Sequence, residues 1–293
     1  MTLLALAFAF GAIVGSFANV CIHRLPRGKS VVSPRSACPG CAKPIAWFDN
    51  VPLLSYAVLN GRCRGCRARI PFRYPLVEAL TGLLFALVFW RHLNDPRGQP
   101  LSVTAVYLVV MAGLVIVTFI DLDFRIIFDS FSTWAAVAAL PLSLLVPELH
   151  VRAWPPLSGL PASGAREGLV SSAAGAASGI ALIYGMHLMG VGYLWLKARV
   201  TGRRWDPEQA VVGGGDLRLM AAVGGLLGWQ AAVVVFFLAP VFGALVGIPY
   251  RILTHDEYIA YGPFLALATV LVMLSRREML DFLASAFHHP AVL

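Results

Sequence analysis

Long apolar runs separated by short polar stretches dominate this chain. The runs cover residues 3–20, 76–90, 102–120, 130–147, 169–196, 217–252 and 259–275. A helix needs about 20 mostly apolar residues to cross a bilayer. The run 217–252 is long enough for two such helices, and we expect the break near Gly228, Trp229 and Gln230. The pattern therefore predicts about eight membrane-spanning helices, to within one.

The composition agrees with this pattern. Of the 293 residues, 58% are hydrophobic and only 13% are charged, whereas a soluble domain carries about 25% charged residues. The first run lacks a basic leader and a small-residue cleavage site, so we expect a retained helix rather than a signal peptide. The chain is predicted to be an all-α polytopic membrane protein.

The distribution of basic residues predicts the orientation in the membrane. Residues 21–75 contain ten Lys and Arg residues, and Asp49 is their only acidic neighbour. The positive-inside rule then places this insert, which lies between the first and second spans, in the cytoplasm. With eight spans both termini lie outside, and 17 of the 23 Lys and Arg residues fall on cytoplasmic segments. Since no nucleic-acid motif accompanies the basic loops, the predicted partner is the lipid bilayer and not a nucleic acid.

The insert contains two CxxC pairs, CPGC and CRGC. Their thiols belong to Cys38, Cys41, Cys63 and Cys66, with 21 residues between the pairs. Four thiolates on two tight turns can surround Zn²⁺ tetrahedrally, with no coordination position left open for chemistry. The alternative is two disulfides, which require an oxidising compartment. The cytoplasmic placement therefore favours a structural zinc site.

Four aspartates lie near the predicted cytoplasmic ends of spans. Asp121, Asp123 and Asp129 occur in FIDLDFRIIFD, and Asp216 begins the sixth span. Three of them have a structural alternative, because Asp129 and Asp216 can cap helices and Asp123 can pair with Arg125 or face water. Two carboxylates at one depth on different helices can instead share a proton, as aspartic proteolysis requires.

Glycines cluster immediately before Asp216. Gly213 and Gly215 match the start of a dinucleotide-binding G-x-G-x-x-G, but Arg218 occupies its last position. A phosphate-binding loop is excluded because no Gly-Lys-Ser/Thr follows. Gly224 and Gly228 have the small-xxx-small spacing of helix packing. We expect the glycines before Asp216 to give its segment freedom to move.

Several motifs in sequence order resemble the prepilin peptidases of bacteria, or type IV leader peptidases, which are GxGD intramembrane aspartyl proteases. The motifs are GSFANVCIHRLPRG at 15–28, the paired CxxC turns, RYPLVE at 73–78, FIDLDFRIIFD at 119–129, GGGDLRLMAAVGGLLG at 213–228 and YGPFLALA at 261–268. The chain departs from the family pattern at Ile127, Phe128 and Ala260, and Arg218 replaces a lysine.

The resemblance implies an enzyme that removes the basic leader from type IV prepilins and from pseudopilins of type II secretion. It implies a catalytic pair, Asp121 and Asp216. The residues implied to support this pair are Asp123, Asp129, Gly213, Gly215 and Arg218.

The resemblance further implies that the enzyme methylates the new N-terminal amine with S-adenosylmethionine. Our candidates for that site are Gly61, Arg62 and Glu78, whose structural alternatives are a turn residue, a membrane-facing anchor and a buried polar group. The implied location is the bacterial inner membrane. The domains are then a first helix (1–20), the cysteine insert (21–75) and the protease core (76–293).

Two other classes of protein are weighed against this interpretation. A proton-coupled transporter with a regulatory zinc module predicts repeats in two halves of the chain, and the two halves differ in charge and glycine content. A membrane-anchored zinc ribbon that only binds a partner leaves Asp121 and Asp216 without a role. The sequence does not predict an oligomeric state.

Overall fold

The computed structural model describes residues 1–95, 98–126, 129–150, 164–202, 213–254 and 260–287. Most of the polar stretch predicted on the outer face, 148–168, lies outside these residues.

Within the described residues the backbone forms nine α-helices and no β-strand. They are α1 (Thr2–Arg24), α2 (Leu54–Val58), α3 (Arg73–Leu93), α4 (Leu101–Phe124), α5 (Asp129–Leu145), α6 (Ala165–Thr201), α7 (Gly214–Leu227), α8 (Trp229–Thr254) and α9 (Gly262–Phe287). Each apolar run in the sequence corresponds to a helix, so the prediction of an all-α chain is confirmed for this part of the protein.

Five of these helices are long and apolar enough to cross a membrane: α1, α3, α4, α6 and α8. The apolar parts of α5 and α9, Ser130–Leu145 and Gly262–Ser275, are shorter, and α7 has 14 residues. The predicted break in 217–252 is confirmed at Gly228, whose φ of +89° separates α7 from α8. A count of eight crossings stays a prediction.

The chain divides into two compact units, Met1–Arg125 and Ile126–Leu293. In the first unit, α1 packs closely along α3. A Cβ atom on Gly15 would lie 2.8 Å from the Cα atom of Glu78, and the Asn19 amide donates to the Tyr74 carbonyl at 3.1 Å. Small residues thus allow the backbones of α1 and α3 to approach each other.

Cationic side chains join the helix ends of the first unit on the side of the insert. Arg73, the first residue of α3, forms an ion pair with Asp123 in the last turn of α4. Its guanidinium lies 5.5 Å from the centre of the Phe119 ring. Arg27, just after α1, lies 4.8 Å from the centre of the Phe124 ring. The last turn of α4 is therefore fixed at the end of the unit from which the insert emerges.

In the second unit, α6 and α7 meet through glycines. The backbones approach so closely at Gly175 and Gly224 that neither position has room for a Cβ atom. A Cβ atom on Gly175 would also lie 2.9 Å from the Gly228 carbonyl carbon. The Ser172 hydroxyl donates to the Gly225 carbonyl at 2.7 Å. The predicted packing role of Gly224 and Gly228 is confirmed.

Candidate active site and metal centre

The four cysteines of the insert form one cluster. Their sulfur atoms all lie within 4.8 Å of one another, and the Cys38 and Cys66 sulfurs are 3.7 Å apart. In the described chain these cysteines are free thiols, so the structure does not contain the alternative of two disulfides. Cys21, which lies in the last turn of α1, is buried as expected.

The two CxxC turns share one backbone geometry. In each turn the N–H of the first cysteine donates to the carbonyl five residues later, at 3.0 and 2.9 Å. The residue after the second cysteine is left-handed in both, with φ of +56° at Ala42 and +59° at Arg67. The glycine of each turn, Gly40 or Gly65, faces a thiol of the other turn. The insert is therefore a pair of matching turns that present thiols to each other.

The electrostatics of the cluster suit a cation. Backbone N–H groups of Cys66 and Gly65 lower the pKa of Cys63 to about 6. At Cys66 the Ala68 N–H opposes the effects of burial and of the neighbouring thiols, which together raise its pKa to about 11. Four thiolates this close repel one another unless a cation lies between them. A tetrahedral zinc with Zn–S bonds of about 2.3 Å places its sulfurs about 3.8 Å apart, close to the separation between Cys38 and Cys66. The thiols thus fit a bound metal ion.

One ion pair ties the second CxxC turn to a preceding 3₁₀ turn, Trp47–Asn50. The Arg64 guanidinium donates to Asp49 through Nη2 at 2.7 Å and through Nε at 3.0 Å. It also lies 5.5 Å from the centre of the Phe48 ring. These hydrogen bonds from Arg64 lower the pKa of Asp49. The only acidic residue of the insert therefore holds two of its segments together.

Asp121 and Asp123 differ in their surroundings although both lie in the last turn of α4. Asp121 is 3% exposed. Asp123 is more exposed and pairs with Arg73, where the sequence suggested Arg125 or water. Arg125 instead ends α4 in a left-handed conformation, and its N–H donates to the Asp121 carbonyl at 2.8 Å. Of the two carboxylates, Asp121 is the one enclosed by protein.

Asp216 lies in the first turn of α7, in the second unit, whereas Asp121 belongs to the first. The N-cap of α7 is Gly213, so the alternative that Asp216 caps this helix is wrong. Gly214 and Gly215 are the first two helical residues. A Cβ atom on Gly213 would lie 3.4 Å from the Asp216 carboxylate. The glycines therefore start the helix beside the carboxylate and are not a separate loop.

Tyr261 is a neighbour of Asp216 that sequence reasoning missed. It directly precedes α9, and its carbonyl accepts the N–H groups of Phe264 and Leu265 at 3.0 and 3.2 Å. Its half-buried side chain lies within electrostatic reach of the Asp216 carboxylate. A phenol is neutral near pH 7 and can donate a hydrogen bond. The only sequence signal of Tyr261 is its position in YGPFLALA.

The remaining supporting residues are only partly described. Asp129 is the first residue of α5, and its side chain lies outside the described residues. Arg218 is half-buried in the second turn of α7. Their predicted supporting roles stay predictions.

The three candidates for the methyl-donor site connect to the two ends of α2. The Leu53 N–H, just before α2, donates to a Glu78 carboxylate oxygen at 2.8 Å. The Gly61 N–H, just after α2, donates to the Tyr56 carbonyl at 2.9 Å. Gly61 has a φ of +65°, and a Cβ atom there would lie 2.9 Å from the Tyr56 ring. Arg62 follows in an isolated β-bridge. Gly61 is thus a turn residue, while Arg62 and Glu78 carry the ionisable groups.

Two family models match the chain. The model described as Bacterial Peptidase A24 N-terminal domain matches residues 9–92, which include the cysteine cluster. The model described as Type IV leader peptidase family matches residues 108–248, which include Asp121 and Asp216.

Relatives over most of the chain bear the name prepilin leader peptidase/N-methyltransferase. One from Aeromonas salmonicida is 32% identical, over 92% of this chain and 90% of the relative. One from Pseudomonas aeruginosa is 32% identical, over 90% of this chain and 87% of the relative. One from Myxococcus xanthus is 37% identical, over 82% of this chain and 61% of the relative. No solved structure matches the chain.

Proposed function

Because this chain belongs to the type IV leader peptidase family, we propose that Asp121 and Asp216 are the carboxylates with which it cuts its substrate. The protein cleaves leader peptides from prepilins and methylates the N-terminal amine that cleavage exposes. The transporter and the partner-binding zinc ribbon have no support from the relatives. We extend the substrates to the pseudopilins of type II secretion, in line with the resemblance of the motifs.

The observation that supports this pair best is the burial of Asp121 at the end of a membrane-length helix. A carboxylate at such a place is costly and is by default a functional candidate. Asp216, in the first turn of α7, is the acidic residue of a second family motif, GGGDLRLMAAVGGLLG. Asp123 is a weaker candidate, since the Arg73 guanidinium already neutralises it.

The chemistry of the pair follows from a shared proton. Two nearby carboxylates do not both ionise easily, so one holds a proton while the other is an anion. The anion takes a proton from water as the water oxygen attacks the carbonyl carbon at the cleavage site. The protonated partner donates its proton to the carbonyl oxygen. Collapse of this intermediate then returns a proton to the leaving amine. The neutral Tyr261 phenol can stabilise the anionic form of Asp216.

We place the enzyme in the bacterial inner membrane, with the insert and both aspartates on the cytoplasmic side. The support is the excess of Lys and Arg in the insert. A cytoplasmic site matches the substrate that the resemblance implies, whose cleavage site lies at the cytoplasmic end of its own apolar helix.

We assign zinc to the Cys38, Cys41, Cys63 and Cys66 thiols as a structural ion. An insert of about 55 residues has too little core to fold well without a metal or a similar crosslink. Four thiolates complete a tetrahedral site and leave no position for substrate.

We assign Arg62 and Glu78 to the binding of S-adenosylmethionine, with Gly61 shaping the turn that carries Arg62. The methyl donor supplies an electrophilic methyl group to the substrate amine. A carboxylate such as Glu78 can accept hydrogen bonds from a ribose or an amine, and a guanidinium can pair with a carboxylate.

The test of the catalytic pair uses purified protein in detergent, a prepilin, and the variants Asp121→Asn and Asp216→Asn. Each variant should lose about 10²- to 10⁴-fold in cleavage rate, the contribution of a general acid or base. Asp123→Asn, in the same helical turn as Asp121, is the matched control and should stay within about tenfold of wild type. Methyl transfer to an already cleaved pilin should persist in all three, which excludes unfolding. Near wild-type cleavage by Asp121→Asn or Asp216→Asn would show that the assignment is wrong.

A further inference from the structure

The insert presents a connected set of exposed apolar side chains. Leu54 and Val58, one helical turn apart, lie on the same face of α2, and both are more than half exposed. The 3₁₀ turn Trp47–Asn50 is bound to α2, because the Ser55 hydroxyl donates to the Phe48 carbonyl at 2.8 Å. Trp47 in this turn is 77% exposed. An apolar surface of this kind marks a contact with a membrane or with another molecule.

Phe72 adds a further exposed apolar side chain at the start of α3. Its ring lies 6.4 Å from the Tyr56 ring of α2 in an edge-to-face arrangement. Arg73, the next residue, begins a membrane-length helix. An exposed apolar side chain of the insert thus directly precedes a membrane-length helix.

A hydrogen bond fixes the depth of α2. The Leu53 N–H donates to the Glu78 carboxylate, and Glu78 lies five residues into α3, about 7.5 Å along its axis from Arg73. Helix side chains lean toward the N-terminus, so the start of α2 lies beside the first two turns of α3. In a 21-residue helix that crosses a bilayer, the first two turns lie near the boundary between water and lipid. This would place α2 level with the lipid headgroups.

The charge around this surface selects the kind of partner. The insert that carries it contains ten Lys and Arg residues between positions 21 and 75, and its only acidic residue, Asp49, is already paired with Arg64. Basic segments beside apolar and aromatic side chains bind anionic lipid surfaces. A basic prepilin leader has the same sign of charge and would be repelled.

We propose that α2, the turn Trp47–Asn50 and Phe72 form an interfacial anchor that seats the cysteine insert among the headgroups of a membrane containing anionic lipid. The anchor depends on the membrane insertion of α1 and α3 but not on the identity of the catalytic aspartates. It holds the zinc-binding turns at the bilayer surface, beside the place where a membrane-embedded substrate exposes its new amine. Methylation is therefore expected to depend on anionic lipid more strongly than cleavage does.

The test uses the full-length protein in nanodiscs of phosphatidylcholine, with or without phosphatidylglycerol. The Trp47 emission is obtained as the difference between wild type and Trp47→Phe. Lipids brominated in the upper acyl chain should quench this emission, and iodide in the water should not. Val58→Asp should reduce the lipid quenching and make Trp47 accessible to iodide. The methylation rate of wild type should rise with phosphatidylglycerol while the cleavage rate changes little.

Val32→Asp is the matched control, because Val32 belongs to the same insert, is 86% exposed and lies outside the anchor, whereas Val58 is 66% exposed. It should leave the quenching of Trp47 unchanged. An unchanged zinc content in both variants shows that the cysteine turns remain folded. Quenching of Trp47 by iodide alone would overturn the proposal. Protection of Trp47 that requires added prepilin would also overturn it and would identify a substrate-docking surface instead.

Discussion

Replacing Gly175 with alanine tests whether the contact between α6 and α7 positions Asp216. A Cβ atom at this position would lie 2.7 Å from the Gly224 carbonyl carbon, whereas ordinary contact begins at 3.4 Å. The atoms in contact belong to the backbone, so no side-chain rotation relieves the overlap. The helices must separate locally by about 0.7 Å or more, and overpacking of this kind costs about 1–3 kcal/mol.

Gly185→Ala is the matched control for this substitution. Gly185 lies on the same helix, and a Cβ atom there would meet no atom within 4 Å. Alanine favours a helix over glycine by up to about 1 kcal/mol at both positions. The difference between the variants therefore isolates the cost of packing. For a unit of this size it corresponds to a melting temperature about 2–12 °C lower for Gly175→Ala.

The effect should reach the catalytic step because Asp216 is carried by α7. A displacement of about 1 Å at a reacting group can reduce the rate about 10²-fold. We expect prepilin cleavage by Gly175→Ala to fall about 10- to 100-fold, and cleavage by Gly185→Ala to stay near wild type. The assays are thermal unfolding and single-turnover cleavage in the same detergent. Equal melting temperatures and rates for the two variants would refute the argument.

Two further predictions concern the other parts of the site. Cys41→Ser should lose bound zinc and methylation while cleavage continues, and full zinc content in this variant would contradict the metal site. Arg73→Gln should lower the melting temperature because it leaves Asp123 without its cation, and adding Asp123→Asn should restore part of the loss; no restoration would argue against the pair.

The sequence predicts the helices well because apolar runs report directly on burial in lipid or protein. The break at Gly228 follows from the length of its run, since no single span needs 36 residues. The cysteine cluster follows from the spacing of its thiols. The helix break and the thiol spacing each depend on residues close together in the sequence, so sequence patterns predict them.

The contacts between distant segments were not predictable in the same way. Asp123 pairs with Arg73, 50 positions earlier, because the last turn of α4 and the first turn of α3 lie at one end of the unit. The alternative that Asp216 caps its helix was wrong, since Gly214 and Gly215 before it are helical and α7 begins at Gly214. Tyr261 carries no chemistry in the sequence until the fold brings it near Asp216.

The most direct test of the shared-proton mechanism compares Asp121→Asn, Asp216→Asn and the double variant in single-turnover cleavage of a prepilin. Residues that act as one unit are non-additive. The double variant should therefore cleave at about the same residual rate as either single variant. Losses that multiply in the double variant, or a single variant with near wild-type cleavage, would show that the two aspartates do not form one catalytic pair.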